Sequence, residues 1–216
     1  MDGFQQQATD TEIDETGAWL SIGDLMSGLL MIFALLLVLA LLQLTEAAEK
    51  DKESRIMIIK DLRDALNSQG INAKVDPQTG DVSILDSVLF DNNQSQLKPE
   101  GIAFLESFVP VYSKVIFSKK NISDQVQYIV VEGHTSSAGQ WDYNMSLSLN
   151  RADSVSRSIS ELDFSAKSEF QSRLLVSGRG ESEAETKFDN SADRKVIFRF
   201  QFKSERVLHR FLNEPG

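Results

Sequence analysis

The sequence predicts an α+β protein: a single N-terminal transmembrane helix, then an α/β sandwich domain whose mixed sheet carries helices on one face. Three observations predict it. Leu25 to Thr45 is a run of 21 residues without a charge, long enough at about 1.5 Å per residue to cross a bilayer's hydrocarbon core. Residues 75–202 alternate short strand-like runs with helical patterns, which implies crossover connections. Val196–Phe202 alternates apolar and polar side chains, as a strand with one buried face does.

Taken in order, residues 1–18 form an acidic tail, with Asp2, Asp10, Glu12, Asp14 and Glu15 and no Lys or Arg. A secretory signal begins with a basic segment, so an uncleaved anchor is expected instead. Residues 19–45 are the span. Residues 46–74 are a stalk helix and linker: Glu46–Gln69 lacks Gly and Pro, pairs Asp51 with Arg55 and Lys60 with Asp64, and repeats apolar residues at Ile56, Ile59, Leu62 and Leu66. Gly70 fits its C-cap. This helix either packs on the following domain or pairs with a second copy. Residues 75–203 are the globular domain, with strands at Val82–Leu85, Val126–Glu132, Leu174–Ser177 and Val196–Phe202. Its helices are Pro99–Phe117, with Pro110 a candidate kink within it, and Asn144–Leu162. Residues 204–216 are a C-terminal tail.

Composition excludes several functions. The net charge of -10, with no basic block, argues against nucleic acid, whose phosphates call for clustered Lys and Arg. There is no cysteine, and His134 and His209 show no ligand spacing, so neither a metal nor another cofactor is expected. No Ser–His–Asp or paired-carboxylate arrangement stands out, and no enzymatic activity is expected.

Asp24 is the one acid inside the apolar segment. With Trp19 in the interfacial aromatic belt, Asp24 lies about 7 Å deeper. An acid there is costly to insert and faces protein or water rather than lipid. Ser21, Asp24, Ser27, Gly28 and Met31 share one side of the helix, a small and polar stripe suited to packing against other helices. An acid in such a niche is a candidate ion carrier. The alternative places Asp24 among the headgroups, with the span starting at Leu25.

In the domain, three blocks stand out. The first is Leu89-Phe90-Asp91 with Leu97-Lys98-Pro99-Glu100-Gly101; the second is Val131-Glu132-Gly133-His134-Thr135, followed by Tyr143-Asn144-Met145-Ser146-Leu147-Ser148-Leu149-Asn150-Arg151-Ala152. The third is Ser177-Gly178-Arg179-Gly180-Glu181-Ser182 with Asp193-Arg194-Lys195-Val196. Gly133-His134-Thr135 reads as a turn out of the sheet. Tyr143, Asn144, Leu147 and Arg151 fall on one side of the next helix, where Arg151 suits a carboxylate and Asn144 suits amides. Arg151 equally suits a structural acid such as Asp91.

These blocks resemble the OmpA-like peptidoglycan-binding family over residues 82–202. The resemblance implies that Thr135, Ser136, Tyr143, Asn144, Leu147, Arg151 and Arg194 line a peptidoglycan site. In that family an Asp usually stands at the position of Ser136 and holds an ammonium; here that ionic contact is missing or moved. The span, its acid, the stalk and this domain together resemble B subunits of ion-driven stators such as the flagellar MotB family, and more closely those of the Zorya anti-phage system. That resemblance implies a homodimer inside a ring of multi-span A subunits, a pentamer, with Asp24 carrying protons or sodium. It also implies an inner-membrane protein with its N-terminus cytoplasmic and its domain periplasmic. The basic residues Lys50, Lys52 and Arg55 after the span point the other way by the positive-inside rule.

Overall fold

The computed structural model describes residues 15–185 and 189–203. Most of the acidic tail and all of the C-terminal tail assigned from sequence lie outside them. The division between two compact units falls between Ala47 and Ala48.

Helix α1, Glu15–Ser68, includes both the expected span and the expected stalk helix. Within the first unit its apolar segment, Trp19–Glu46, is 28 residues long and none of its residues is buried. In the second unit the helix ends at a Schellman cap. The Ile71 amide donates to the Leu66 carbonyl at 3.0 Å and the Gly70 amide to that of Asn67 at 3.1 Å. Gly70 supplies the left-handed φ of 65° that this cap requires. Ile58, Leu62 and Leu66 are fully or almost fully buried in the domain core, so the later part of segment 46–74 packs into the domain whose sequence pattern begins at residue 75. The packed form of the stalk is the one observed, and Ile56, one of its expected apolar positions, is exposed.

The domain is built on a five-stranded mixed sheet in the order β1-β2-β5-β3-β4. These are Lys74–Val75, Val82–Leu85, Lys195–Phe202, Val126–His134 and Leu174–Gly180 respectively. Only β3 and β4 pair in parallel; β5 runs antiparallel to both of its neighbours. The helices are α2 (Asp86–Leu89), α3 (Pro99–Phe117), α4 (Lys120–Ser123), α5 (Trp141–Glu161) and α6 (Lys167–Arg173). Val82, Ile84, Ile129, Val131, Val196, Phe198 and Phe200 share one buried sheet face with Leu105, Phe108 and Tyr112 of α3 and Val155 and Ile159 of α5. Phe108, Tyr112 and Phe198 meet with ring centroids 4.9–5.6 Å apart, a range that favours edge-to-face packing. Each such side chain stabilises the fold by about 1.5–3 kcal/mol through burial.

α3 spans the expected Pro99–Phe117 with Pro110 inside it. Other boundaries differ from the sequence expectation. α5 begins at Trp141, three residues before Asn144. β3 runs on through Gly133 and His134, which pair with β4 and β5 rather than leaving the sheet as a turn. Packing explains the last difference. A Cβ on Gly133 would come within 2.0 Å of the Ser148 carbonyl oxygen, and one on Gly178 within 2.7 Å of the Leu149 nitrogen. These glycines let the backbone of α5 lie directly on β3 and β4.

Candidate functional sites

In the first unit, Ser21, Asp24, Ser27, Gly28 and Met31 are all exposed on the single chain. Ser27 Oγ donates to the Asp24 carbonyl at 2.8 Å, a local bond that leaves the carboxylate out of the contact. The expected polar stripe is thus present on an unburied helix surface.

The second site forms where β3, α2, α5 and the segment before β5 converge. Strand β3 delivers Thr135 and Ser136 just beyond its end, both buried. The close seating of α5 brings Asn144, Ser148 and Arg151 inward; all three are buried, whereas Tyr143 points outward at 52% exposure and Leu147 is half-buried. The four positions expected on one side therefore divide, because adjacent residues on a helix are about 100° apart.

Arg151 is the largest fully buried side chain in the domain. Its Nε donates to the Gln94 carbonyl at 2.9 Å, and its guanidinium lies over the Phe90 ring at 5.2 Å. Nη1 lies 3.2 Å from Asp86 Oδ2 but has no acceptor in hydrogen-bond geometry among the described residues. The acid beside Arg151 is thus Asp86 rather than Asp91. Burial pulls the Arg151 pKa down, the charge of Arg194 adds to that pull, and Asp86 opposes it.

Asp86 serves both arginines. Its Oδ2 is 3.6 Å from Arg194 Nε, and its amide donates to the Arg194 carbonyl at 3.0 Å. Arg194 Nη1 also donates to Asp189 Oδ1 at 2.8 Å and to Ser136 Oγ at 3.4 Å. Two guanidiniums therefore share one buried carboxylate, and a second carboxylate meets Arg194 from a more exposed position. Thr135 Oγ1 is buried without a hydrogen-bond partner among the described residues.

Asn144, read from sequence as a ligand group, has its amide nitrogen committed inside the protein. It donates to the carbonyls of Ser136 at 3.4 Å and Ala138 at 3.1 Å, and to Glu181. It fixes the loop after β3. Ser148 Oγ accepts from the Gly180 amide at 2.9 Å and ties α5 to the end of β4. Asp86, Asp189 and Glu181 carry no site signal in the sequence; Asp86 is separated from Arg151 by 65 positions, and no short-range spacing relates the two.

His134, expected in a turn, is a buried strand residue. Its Nε2 donates to Glu132 Oε1 at 2.9 Å, while Glu183 Oε2 stands 4.0 Å from Nδ1. Arg199 Nη2 reaches Glu132 at 3.6 Å, and Arg199 Nε reaches Asp81 at 3.0 Å. Burial alone would raise Glu132, but the His134 hydrogen bond and the charge of Arg199 outweigh it and hold its pKa below the ordinary 4.5. A depressed carboxyl pKa stabilises the fold fully above the unfolded value and loses that contribution as pH falls through the folded one. Glu132→Gln should therefore flatten the acid limb of the stability curve below about pH 4.5, read as the pH dependence of the denaturation midpoint.

Among the described residues, no group of three or more His, Cys, Asp and Glu side chains is arranged to hold a metal ion.

Comparison with known proteins places these features. The OmpA family matches residues 89–197. The Zorya protein ZorB of Escherichia coli O139:H28 (strain E24377A / ETEC) is 31% identical over 197 residues, covering 85% of this chain and 80% of that protein. The Zorya protein ZorB of Escherichia coli strain ATCC 8739 is 27% identical over 222 residues, covering 91% and 92% respectively. Among solved structures, a MotB-like protein from Desulfovibrio vulgaris superposes with a TM-score of 0.51 at 19% identity, covering 69% of this chain and 92% of that one, a likeness of fold.

Proposed function

The chain belongs to the OmpA family and to the family of the Zorya protein ZorB, and from that premise we propose that it is the peptidoglycan-anchored B subunit of an ion-driven rotary stator serving anti-phage defence. The observation that carries this reading is the presence, in one chain, of an acid within an unburied apolar helix and a domain whose two arginines share one carboxylate.

In this reading the domain is periplasmic, residues before the span are cytoplasmic, and the chain works as a homodimer. The unburied stripe of Ser21, Asp24, Ser27, Gly28 and Met31 packs against a ring of multi-span A subunits, a pentamer. Ring contacts could set a topology that the weak charge signal opposes. Asp24 takes a proton from one side and releases it to the other. One charge crossing 100 mV releases about 2.3 kcal/mol, enough to bias a step of the ring in one direction. The domain holds the B subunits to the wall, so that the ring turns around them. Arg151 and Arg194 supply the guanidiniums for a stem-peptide carboxylate, a pairing that favours bidentate contact.

Co-purification tests the assembly. Tagged full-length chain, expressed with the membrane proteins encoded beside it, should retain a multi-span partner through detergent extraction and gel filtration. Recovery of the chain alone would leave a passive wall tether.

A further inference from the structure

Resting on the wall-binding reading, we propose that Asp189 is the specificity-determining acid of this site. It holds Arg194 when the site is empty and turns to a cationic group of the ligand once the ligand's carboxylate has taken Arg194.

The two carboxylates on the arginine pair are not equivalent. Asp86 contacts both guanidiniums, and its side chain is 12% exposed, so it is a fixed part of the floor. Among the described residues Asp189 contacts Arg194 only, through Nη1 at 2.8 Å, and its side chain is 55% exposed. Arg194 is itself the accessible member of the pair, at 28% exposure against 1% for Arg151. An incoming carboxylate therefore reaches Arg194 first and competes with Asp189 for the same donor. The exposed ion pair that it replaces is weak, so exchange is inexpensive.

Exchange leaves the displaced Asp189 carboxylate without its cation at the rim. Glu181 and Glu183 lie on the same segment, but Glu181 is bonded to Asn144 and Glu183 pairs with Arg179 at 3.0 Å. Asp189 is thus the acid that exchange sets free. A ligand that brings an ammonium within reach restores the lost pairing, and one without it does not. Residue 136, a serine hydroxyl 3.4 Å from Arg194 Nη1, carries no charge to do this.

The test measures binding of two fluorescent stem peptides to the full-length chain in detergent micelles. They are identical except that the side-chain amine of the terminal diamino acid is free in one and acetylated in the other. The wild type should prefer the free amine several-fold. Asp189→Asn should bring that ratio close to one and bind the acetylated peptide at least as well as the wild type does. An unchanged preference in Asp189→Asn, or equal affinities in the wild type, would overturn the assignment while leaving wall binding intact. If the wild type bound neither peptide nor purified sacculi, both this inference and the wall-binding reading would fall.

Discussion

Asp24→Asn should abolish ion flow and phage protection while leaving membrane insertion and partner recovery unchanged. Asn keeps the shape of Asp, and its amide can still hydrogen-bond to a neighbouring helix, but it neither binds nor releases a proton. An ionised Asp costs about 2.5–3.5 kcal/mol at the centre of a span on insertion scales and less at the depth of Asp24, but the cost is unfavourable at both. Removing that charge therefore does not hinder insertion. Protection in an infection assay and proton uptake in vesicles holding the assembled complex should both drop to the level of cells or vesicles without it. A protective Asn variant would remove the motor from the reading.

The second large effect belongs to Arg151→Met. This change leaves Asp86 buried beside Arg194 alone, at 3.6 Å, with no guanidinium packed on the Phe90 ring. Breaking a buried pair from one side costs about 3–5 kcal/mol when the remaining charge is left uncompensated; Arg194 still faces Asp86, so the loss falls toward the low end of that range. The domain's slowest-exchanging amides, expected in β3 and β5, should lose protection by that amount in hydrogen exchange. Pairing Arg151→Met with Asp86→Leu should recover much of the stability, since an apolar replacement of a buried ion pair is often neutral. It should not recover sacculus binding. If Arg151→Met were as stable as the wild type, the ion pair with Asp86 would not be part of the fold's support.

What was legible in the sequence depended on range. The span was readable from an uninterrupted run, and α3 and β5 from the period of their apolar residues, because these signals lie within one element. The role of the stalk's second half was open, because Leu62 and Leu66 suit a partner helix as well as a domain core. The arginines could be named, but their carboxylates could not: Asp86 and Asp189 meet them only through the fold. Gly133 looked like a turn residue because glycine permits turns. Its use here is close backbone approach, a contact made with Ser148, fifteen positions away.

That contact bears on how the domain responds to being pulled. Tension arriving at α5 from a held ligand passes through backbone seated on backbone at Gly133 and Gly178, with no compliant side chain between them. Load that reaches β3, which is bonded along both edges to β4 and β5, is shared by many hydrogen bonds at once. Strands loaded in this way resist separation far better than an edge peeled open one bond at a time.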